Sequence, residues 1–211
     1  IADIGFNAHY MDVIPCEPPR TDIVVMPTYI SFDIECYSKN HNSKLPDSSH
    51  DENVVFQISV IYGVLTREIK AKYLLTLFNP HDIPGVEMLR HKIESDLLLG
   101  FVHLVNKLDP DIFITYNGMK FDWDYLIKRA EKLQIIKKFV QMSRMDIESE
   151  IKTSSWGSNA YGKQEFRYLE AHGRTNVDVL LEIERNYKLP KYSLNVVAKK
   201  FLGEQKDDIT P

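Results

Sequence analysis

The chain has 211 residues, 44% of them hydrophobic and 27% charged, which is typical of a globular protein with a core of its own. Its formal net charge of −4 does not by itself indicate nucleic-acid binding, and no apolar run reaches membrane-spanning length. The two cysteines, Cys16 and Cys36, have no metal-binding spacing. This indicates a reducing, intracellular compartment and argues against a zinc site.

Prolines punctuate the first part of the chain, which does not begin with Met. We interpret residues 1–26 as the end of a preceding domain and residues 27–211 as a second domain within a longer protein.

The first predicted strand ends in the sequence Phe32-Asp33-Ile34-Glu35. Residues two apart in a strand project from one face, so Asp33 and Glu35 are expected to aim their carboxylates at one point. Two acids at a strand end need compensation, and a divalent metal ion would supply it. The alternative is an edge strand with a solvated acidic face, because a lone Asp-x-Glu is a common pattern. The opposite face is apolar and consists of Ile30, Phe32 and Ile34.

The next segments predict more strands and a helix. Residues 38–53 are polar and read as a loop. Val54–Tyr62 reads as a strand with apolar residues on both faces, as expected of a sheet that is covered on both sides. Lys72–Phe78 is a third strand, and Glu94–Leu108 has the apolar spacing of a core-facing helix.

A strand over Ile112–Tyr116 is broken at Asn117, and a helix follows that starts with Phe121 and runs to about Gln134. Asp122 is thereby placed at a helix N-terminus beyond the carboxyl end of a strand. Anions are favoured there, and open α/β sheets bind their ligands at that end. The alternative is that Asp122 is an ordinary N-cap. We interpret Asp124 as a surface acid of the same helix.

The last third of the chain predicts a hairpin and two helices. Residues 145–175 contain turn-forming residues and read as a hairpin excursion. Asp178–Tyr187 and Leu194–Leu202 read as helices, the second of which is stopped by Gly203.

Three blocks together carry a specific resemblance. The first is Phe32-Asp33-Ile34-Glu35, and the second is Tyr116-Asn117-x3-Phe121-Asp122-x2-Tyr125-Leu126. The third runs from Gly173 to Asp208. In this order and spacing they resemble the 3′–5′ exonuclease region of family B DNA polymerases, of the delta type and the large DNA virus type, from about Met26 to Pro211. The resemblance implies a ribonuclease H-like α/β fold, in which helices flank a mixed sheet and the metal site lies at the strand ends.

The resemblance also implies a function and a metal site. The function is proofreading by a DNA-directed DNA polymerase, in which the phosphodiester at the primer 3′ end is hydrolysed. Two Mg²⁺ ions, which Mn²⁺ can replace, would be held by Asp33, Glu35 and Asp122, with Asp33 bridging both. Two alternatives stay open: a stand-alone DEDD-type exonuclease, and a catalytically silent scaffold that only orients primer and template.

Other residues are assigned supporting roles by the same resemblance. Asn117 and Phe121 would contact the terminal nucleotides, although Asn117 could equally be a turn residue and Phe121 a core residue. Tyr116, Arg174 and Asp178 would support the site. We interpret Arg174 and Asp178 as an ion pair or a helix-start contact.

One departure from the family pattern concerns its fourth acid, in a Tyr-x3-Asp motif that does not occur after Asp208. The resemblance therefore implies a domain truncated before its third exonuclease motif, which by itself is weakly active or inactive. The implied partners are the single-stranded 3′ end of a DNA primer, the rest of a polymerase chain and a processivity factor, with no membrane involved. The implied location is the nucleus or a viral replication compartment.

Overall fold

The computed structural model describes residues 8–14, 26–38, 46–66, 69–158 and 162–204. A short 3-10 helix at Tyr10–Asp12 precedes the main body. The strands are β1 Thr28–Cys36, β2 Val55–Val64, β3 Ile69–Leu77, β4 Glu87–His91, β5 Ile112–Thr115, β6 Glu150–Ser158, β7 Gly162–Glu170 and β8 Thr175–Asp178. The helices are α1 Glu94–Leu108, α2 Asp122–Lys132, α3 Ile136–Phe139, α4 Val179–Asn186 and α5 Leu194–Leu202.

Six of the described strands form one mixed sheet in the order β4-β3-β2-β1-β5-β8. Strand β2 runs antiparallel to both its neighbours, and every other neighbouring pair in the sheet is parallel. This mixed sheet with flanking helices confirms the expected ribonuclease H-like class. Because β1, β5 and β8 are parallel neighbours, their carboxyl ends lie at one edge of the sheet.

The core lies between one face of the sheet and helices α1 and α2. Ile30, Phe32 and Ile34 of β1 are buried there, as their alternation predicts. The fully buried ring of Trp123 in α2 packs edge-on against Phe32 and Phe113, with ring centroids 5.0 and 5.4 Å apart. Such aromatic pairs add roughly 0.5–1.5 kcal/mol each beyond their buried area, so this helix is firmly anchored next to β1.

The opposite face of the sheet carries the acids of β1, as predicted, and is more polar in β2 than the sequence suggested. Ser59 of β2 is exposed beside its partner Asp33, so the prediction that β2 is covered on both faces is wrong at this position. The physical reason is that β1 and β2 pair antiparallel, and antiparallel strands commonly alternate between a packed face and a solvated face.

Several elements were not predicted from the sequence. Strand β4 pairs parallel to β3, and β8 pairs parallel to β5, so both depend on non-local partners. Helix α3 is a single short turn. The hairpin is confirmed and consists of β6 and β7.

A buried ion pair ties the loop after β1 to the helices. Arg129 of α2 donates to Glu94 of α1 through Nε and Nη2, at 2.8 and 2.5 Å. The same guanidinium donates to the carbonyl oxygens of Ser48 and His50, at 3.0 and 2.8 Å. Since Glu94 also accepts the main-chain N–H of Val55 at 2.8 Å, one pair connects both helices, the loop and β2.

Two further observations concern residues outside this core. Cys36 is a free cysteine, whereas Cys16 lies outside the described residues. Among the described helices, none has both the length and the apolar character that crossing a bilayer requires.

Candidate active site at the carboxyl ends of three parallel strands

The site begins where β5 stops pairing with β1. The last paired residues are Ser31 and Ile114, while β1 continues to Cys36. The main-chain N–H of Ile34, beyond this pairing, donates to Oδ1 of Asp122 at 3.2 Å. The Asp122 side chain, at the start of α2, thus accepts a main-chain hydrogen bond from β1 where strand β5 no longer pairs with it. The donor, Ile34, is the residue between Asp33 and Glu35.

Asp122 is buried, with 3% of its surface exposed, whereas Asp33 and Glu35 are exposed. Burial, followed by the neighbouring negative charge of Asp33, raises the pKa of the Asp122 carboxyl to about 7. The N-cap of α2 is Phe121, and Asp122 is the first helical residue. The interpretation of Asp122 as an ordinary N-cap is therefore wrong.

The structure brings the three predicted acids to one edge of the sheet. Asp33 and Asp122 are close enough to interact electrostatically. Glu35 shares the exposed face with Asp33, but residues two apart along a strand are separated by roughly 7 Å of rise. Among the described residues, no group of three or more His, Cys, Asp or Glu side chains could hold a metal ion.

The donor chemistry of this edge nevertheless fits a divalent cation. Carboxylate oxygens are the ligands that Mg²⁺ prefers. Burial raises the pKa of Asp122 most, and the negative charge of Asp33 raises it as well; a bound cation would offset both effects. Asp33 and Asp122 therefore fit as ligands, with Glu35 on the same exposed face.

Asp178, at the carboxyl end of β8, holds the loop that leads from β5 to Asp122. Its carboxylate accepts the main-chain N–H groups of Asn117 at 2.8 Å and Met119 at 3.1 Å. It also caps α4 by accepting the N–H of Leu180 at 3.1 Å. The predicted helix-start contact is thus confirmed for Asp178, and one carboxylate organises two segments.

The turn in this loop has little room. Asn117 has a φ of 65°, the left-handed conformation that its alternative reading as a turn residue predicts. A Cβ atom at Gly118 would lie 2.4 Å from both Cβ and Oγ1 of the buried Thr115. Glycine is therefore required here by close packing against the end of β5.

Arg174 lies at the other edge of the sheet, at the amino end of β8. Its guanidinium donates to Oδ1 of Asp109 at 2.8 Å and to the carbonyl oxygen of Met142 at 2.8 Å. The interpretation of Arg174 and Asp178 as an ion pair is wrong, because the length of β8 separates them. Arg174 stabilises the start of β5 and is not a neighbour of Asp122.

The predicted aromatic residues have identifiable contacts. The hydroxyl of Tyr116 donates to the carbonyl oxygen of Tyr192 at 2.6 Å, which links the end of β5 to the segment before α5. Phe121 is partly buried and packs against Tyr125, with ring centroids 5.7 Å apart. Phe121 therefore packs against the core, as the alternative interpretation predicted, and its contact with a nucleotide stays a prediction. Asp124 is a partly exposed acid of α2, as predicted, and accepts a bond from Nζ of Lys128 at 2.6 Å.

Two parts of this site were missed from the sequence. One is the main-chain N–H of Ile34, which has no residue-type signal. The other is the support that β7 gives to the start of α2, where the N–H of Arg167 donates to the carbonyl oxygen of Met119 at 2.9 Å. Both contacts depend on which segments the fold brings together.

Comparison with known proteins identifies the family. The family model described as "DNA polymerase family B, exonuclease domain" matches residues 2–197. The chain is 38% identical over 204 residues to a DNA polymerase of Invertebrate iridescent virus 3, covering 93% of this chain and 17% of that protein. It is 34% identical over 209 residues to the DNA polymerase delta catalytic subunit of Candida albicans, covering 98% of this chain and 20% of that protein.

A third relative is the DNA polymerase delta catalytic subunit of Oryza sativa subsp. japonica. It is 35% identical over 181 residues, which cover 85% of this chain and 16% of that protein. The chain thus spans no more than 20% of the length of these relatives. Exonuclease domains of this family generally depend on divalent metal and act on DNA within a larger polymerase chain. These matches show that the chain belongs to the family of DNA polymerase family B exonuclease domains.

Proposed function

We propose that this site removes mispaired nucleotides from the 3′ end of a DNA primer, as the proofreading activity of a DNA-directed DNA polymerase. The observation that carries the proposal is the position of Asp122. Its buried carboxylate is bonded to the main chain between Asp33 and Glu35, and its pKa is raised to about 7. Perturbed carboxyl groups at the carboxyl ends of parallel strands are typical of functional sites.

In this proposal, Asp33, Glu35 and Asp122 hold two Mg²⁺ ions, which Mn²⁺ can replace. When bound, such ions activate a water molecule and stabilise charge on the phosphate oxygens. The protein contributes the placement of the ligands. Ile34 holds the Asp122 carboxylate through its main-chain N–H, and the buried Trp123 anchors the helix that Asp122 begins.

Asn117 and Phe121 are proposed to contact the unpaired end of the primer. Asn117 lies at the turn that follows β5, with its main chain fixed by Asp178. The ring of Phe121 is only partly buried and lies next to Asp122 in sequence. Stacking of one base on such a ring is worth roughly 1–3 kcal/mol.

The larger assembly is part of the same proposal. Since the relatives are several times longer than this chain, we propose that it works together with the remainder of a polymerase chain and with a processivity factor. The place of action would be the nucleus or a viral replication compartment, where such polymerases copy DNA.

The test uses the polymerase that contains this chain. Asp33→Ala combined with Glu35→Ala should abolish removal of a mismatched primer terminus, while nucleotide incorporation continues at nearly the original rate. Asp82→Ala is the matched control, because Asp82 is an exposed acid bonded to Arg90 near β4. Loss of incorporation together with excision would contradict the proposal. If the unaltered polymerase excises nothing, the exonuclease domain is a silent scaffold.

A further inference from the structure

The hairpin strand β7 lies against the segment from which Asp122 projects. The main-chain N–H of Arg167 donates to the carbonyl oxygen of Met119 at 2.9 Å. One residue further on, the ammonium group of Lys120 lies 5.3 Å from the ring centroid of Phe166. Two consecutive residues of β7 therefore contact two consecutive residues of the loop that immediately precedes α2.

The side chain of Arg167 continues this contact along the helix. Its Nη2 donates to Oε1 of Glu131 at 2.5 Å, and its Nη1 lies 3.6 Å from Oδ1 of Asp124. Asp124 and Glu131 are seven positions apart, so they lie on one face of α2, two turns from each other. One guanidinium thus connects β7 to both the first and the last turn of the helix.

The first turn of α2 has a particular need for such support. Its N-cap is Phe121, which offers no side-chain hydrogen bond to the free N–H groups of the helix. Asp122 itself bonds to β1 through Ile34. The position of its carboxylate therefore depends on how the first turn is held from the side, and Asp124 lies only two residues away.

We propose that Arg167 is a positioning residue for Asp122. By joining β7 to the first and last turns of α2, it holds the first turn at the distance from β1 at which the Asp122 carboxylate meets the N–H of Ile34. Its effect on excision rests on the function proposed above, whereas its effect on the first turn of α2 does not. A displacement of the hairpin would consequently be transmitted to an acid of the active site.

The test compares three variants of the chain by amide hydrogen exchange at Trp123 and Tyr125, whose N–H groups bond to Gly118 and Phe121. Arg167→Ala should exchange roughly threefold faster at both amides, as expected from loss of a partly exposed ion-pair network. Arg167→Lys, which keeps the charge, should restore much of the protection. Lys152→Ala is the control. The described ion pairs of Lys152, with Glu150 and Glu170, both lie within the hairpin.

A second measurement addresses the site itself. The Mn²⁺ concentration that gives half of the maximal rise in melting temperature should increase severalfold in Arg167→Ala and stay unchanged in Lys152→Ala. Unchanged exchange at Trp123 and Tyr125 in Arg167→Ala would overturn the positioning role. A normal exchange effect with no Mn²⁺ response in any protein, including the unaltered chain, would instead overturn the metal site of the proposed function. Glu131→Ala, which removes the acceptor of the shorter contact, should reproduce the exchange effect if Arg167→Ala does not fold.

Discussion

The main-chain N–H of Ile34 donates to Oδ1 of Asp122, across 88 positions of sequence, at a distance of 3.2 Å. This bond joins the strand that carries Asp33 and Glu35 to the helix that carries the third acid. It also means that Asp122 cannot move away from β1 without leaving an unsatisfied N–H group on the strand. The geometry of the candidate site is therefore tied to the sheet itself.

Because the pKa of Asp122 is raised in the folded protein, ionisation of Asp122 should lower the free energy of unfolding as the pH rises. Since the folded pKa of about 7 lies above the usual value of 3.8, the folded protein keeps a proton that the unfolded chain loses. This contribution to stability is present at low pH and is lost as pH rises toward about 7. In EDTA, Asp122→Asn should therefore be more stable than the unaltered chain at about pH 8, by on the order of 2–4 kcal/mol.

The advantage of Asp122→Asn should shrink at about pH 5, where Asp122 is already protonated in the folded protein. Urea denaturation at both pH values measures it, and Asp82→Asn is the control, because Asp82 is an exposed acid far from α2 in sequence. An advantage that grows as the pH falls would contradict the assignment of the raised pKa to Asp122.

Divalent cations should stabilise the folded chain. A ligand that binds only the folded state adds about 2.7 kcal/mol at a hundredfold excess over its Kd. We expect Mn²⁺ and Mg²⁺ to raise the melting temperature of the unaltered chain and of Asp82→Ala, but not of Asp33→Ala. Thermal denaturation with and without the cation measures this. Equal shifts in all three proteins would place the bound cation elsewhere.

Removal of the Asp178 carboxylate should loosen the loop before Asp122. Asp178→Ala leaves the N–H groups of Asn117, Met119 and Leu180 without their acceptor, which should lower the free energy of unfolding by roughly 2–4 kcal/mol. Asp178→Asn keeps one oxygen acceptor and should cost less. Glu182→Ala in the same helix is the control, because its pair with Arg185 is exposed. Similar losses in Asp178→Ala and Glu182→Ala would show that the three bonds matter little.

The buried pair of Arg129 and Glu94 should matter far more than the exposed contacts beside it. Arg129→Met leaves the Glu94 carboxylate buried without its partner, which should cost ~3–5 kcal/mol in chemical denaturation. Lys132→Met removes an exposed cation from the same helix and the same loop, where it bonds Ser49 and Asp51. That change should cost less than about 1 kcal/mol. Equal costs would indicate that the loop, and not the ion pair, determines the effect.

The sequence alone predicted the features that depend on local spacing. The alternation of Ile30, Phe32 and Ile34 with Asp33 and Glu35 determines which face of β1 is buried, because side chains in a strand alternate. The apolar spacing of α1 determines its bounds, and the motif order identifies the family. These properties depend only on residues that are close together in the sequence.

Only the tertiary structure shows which residues from distant segments of the chain contact one another. That Asp33 influences Asp122 follows from the parallel placement of β1 and β5 and from the bond to Ile34. The pairing of Arg174 with Asp109, and of Arg167 with α2, likewise joins segments that are distant in sequence. No local pattern specifies such partners, because main-chain groups and the pKa of a buried carboxyl respond to the neighbours that the whole fold assembles.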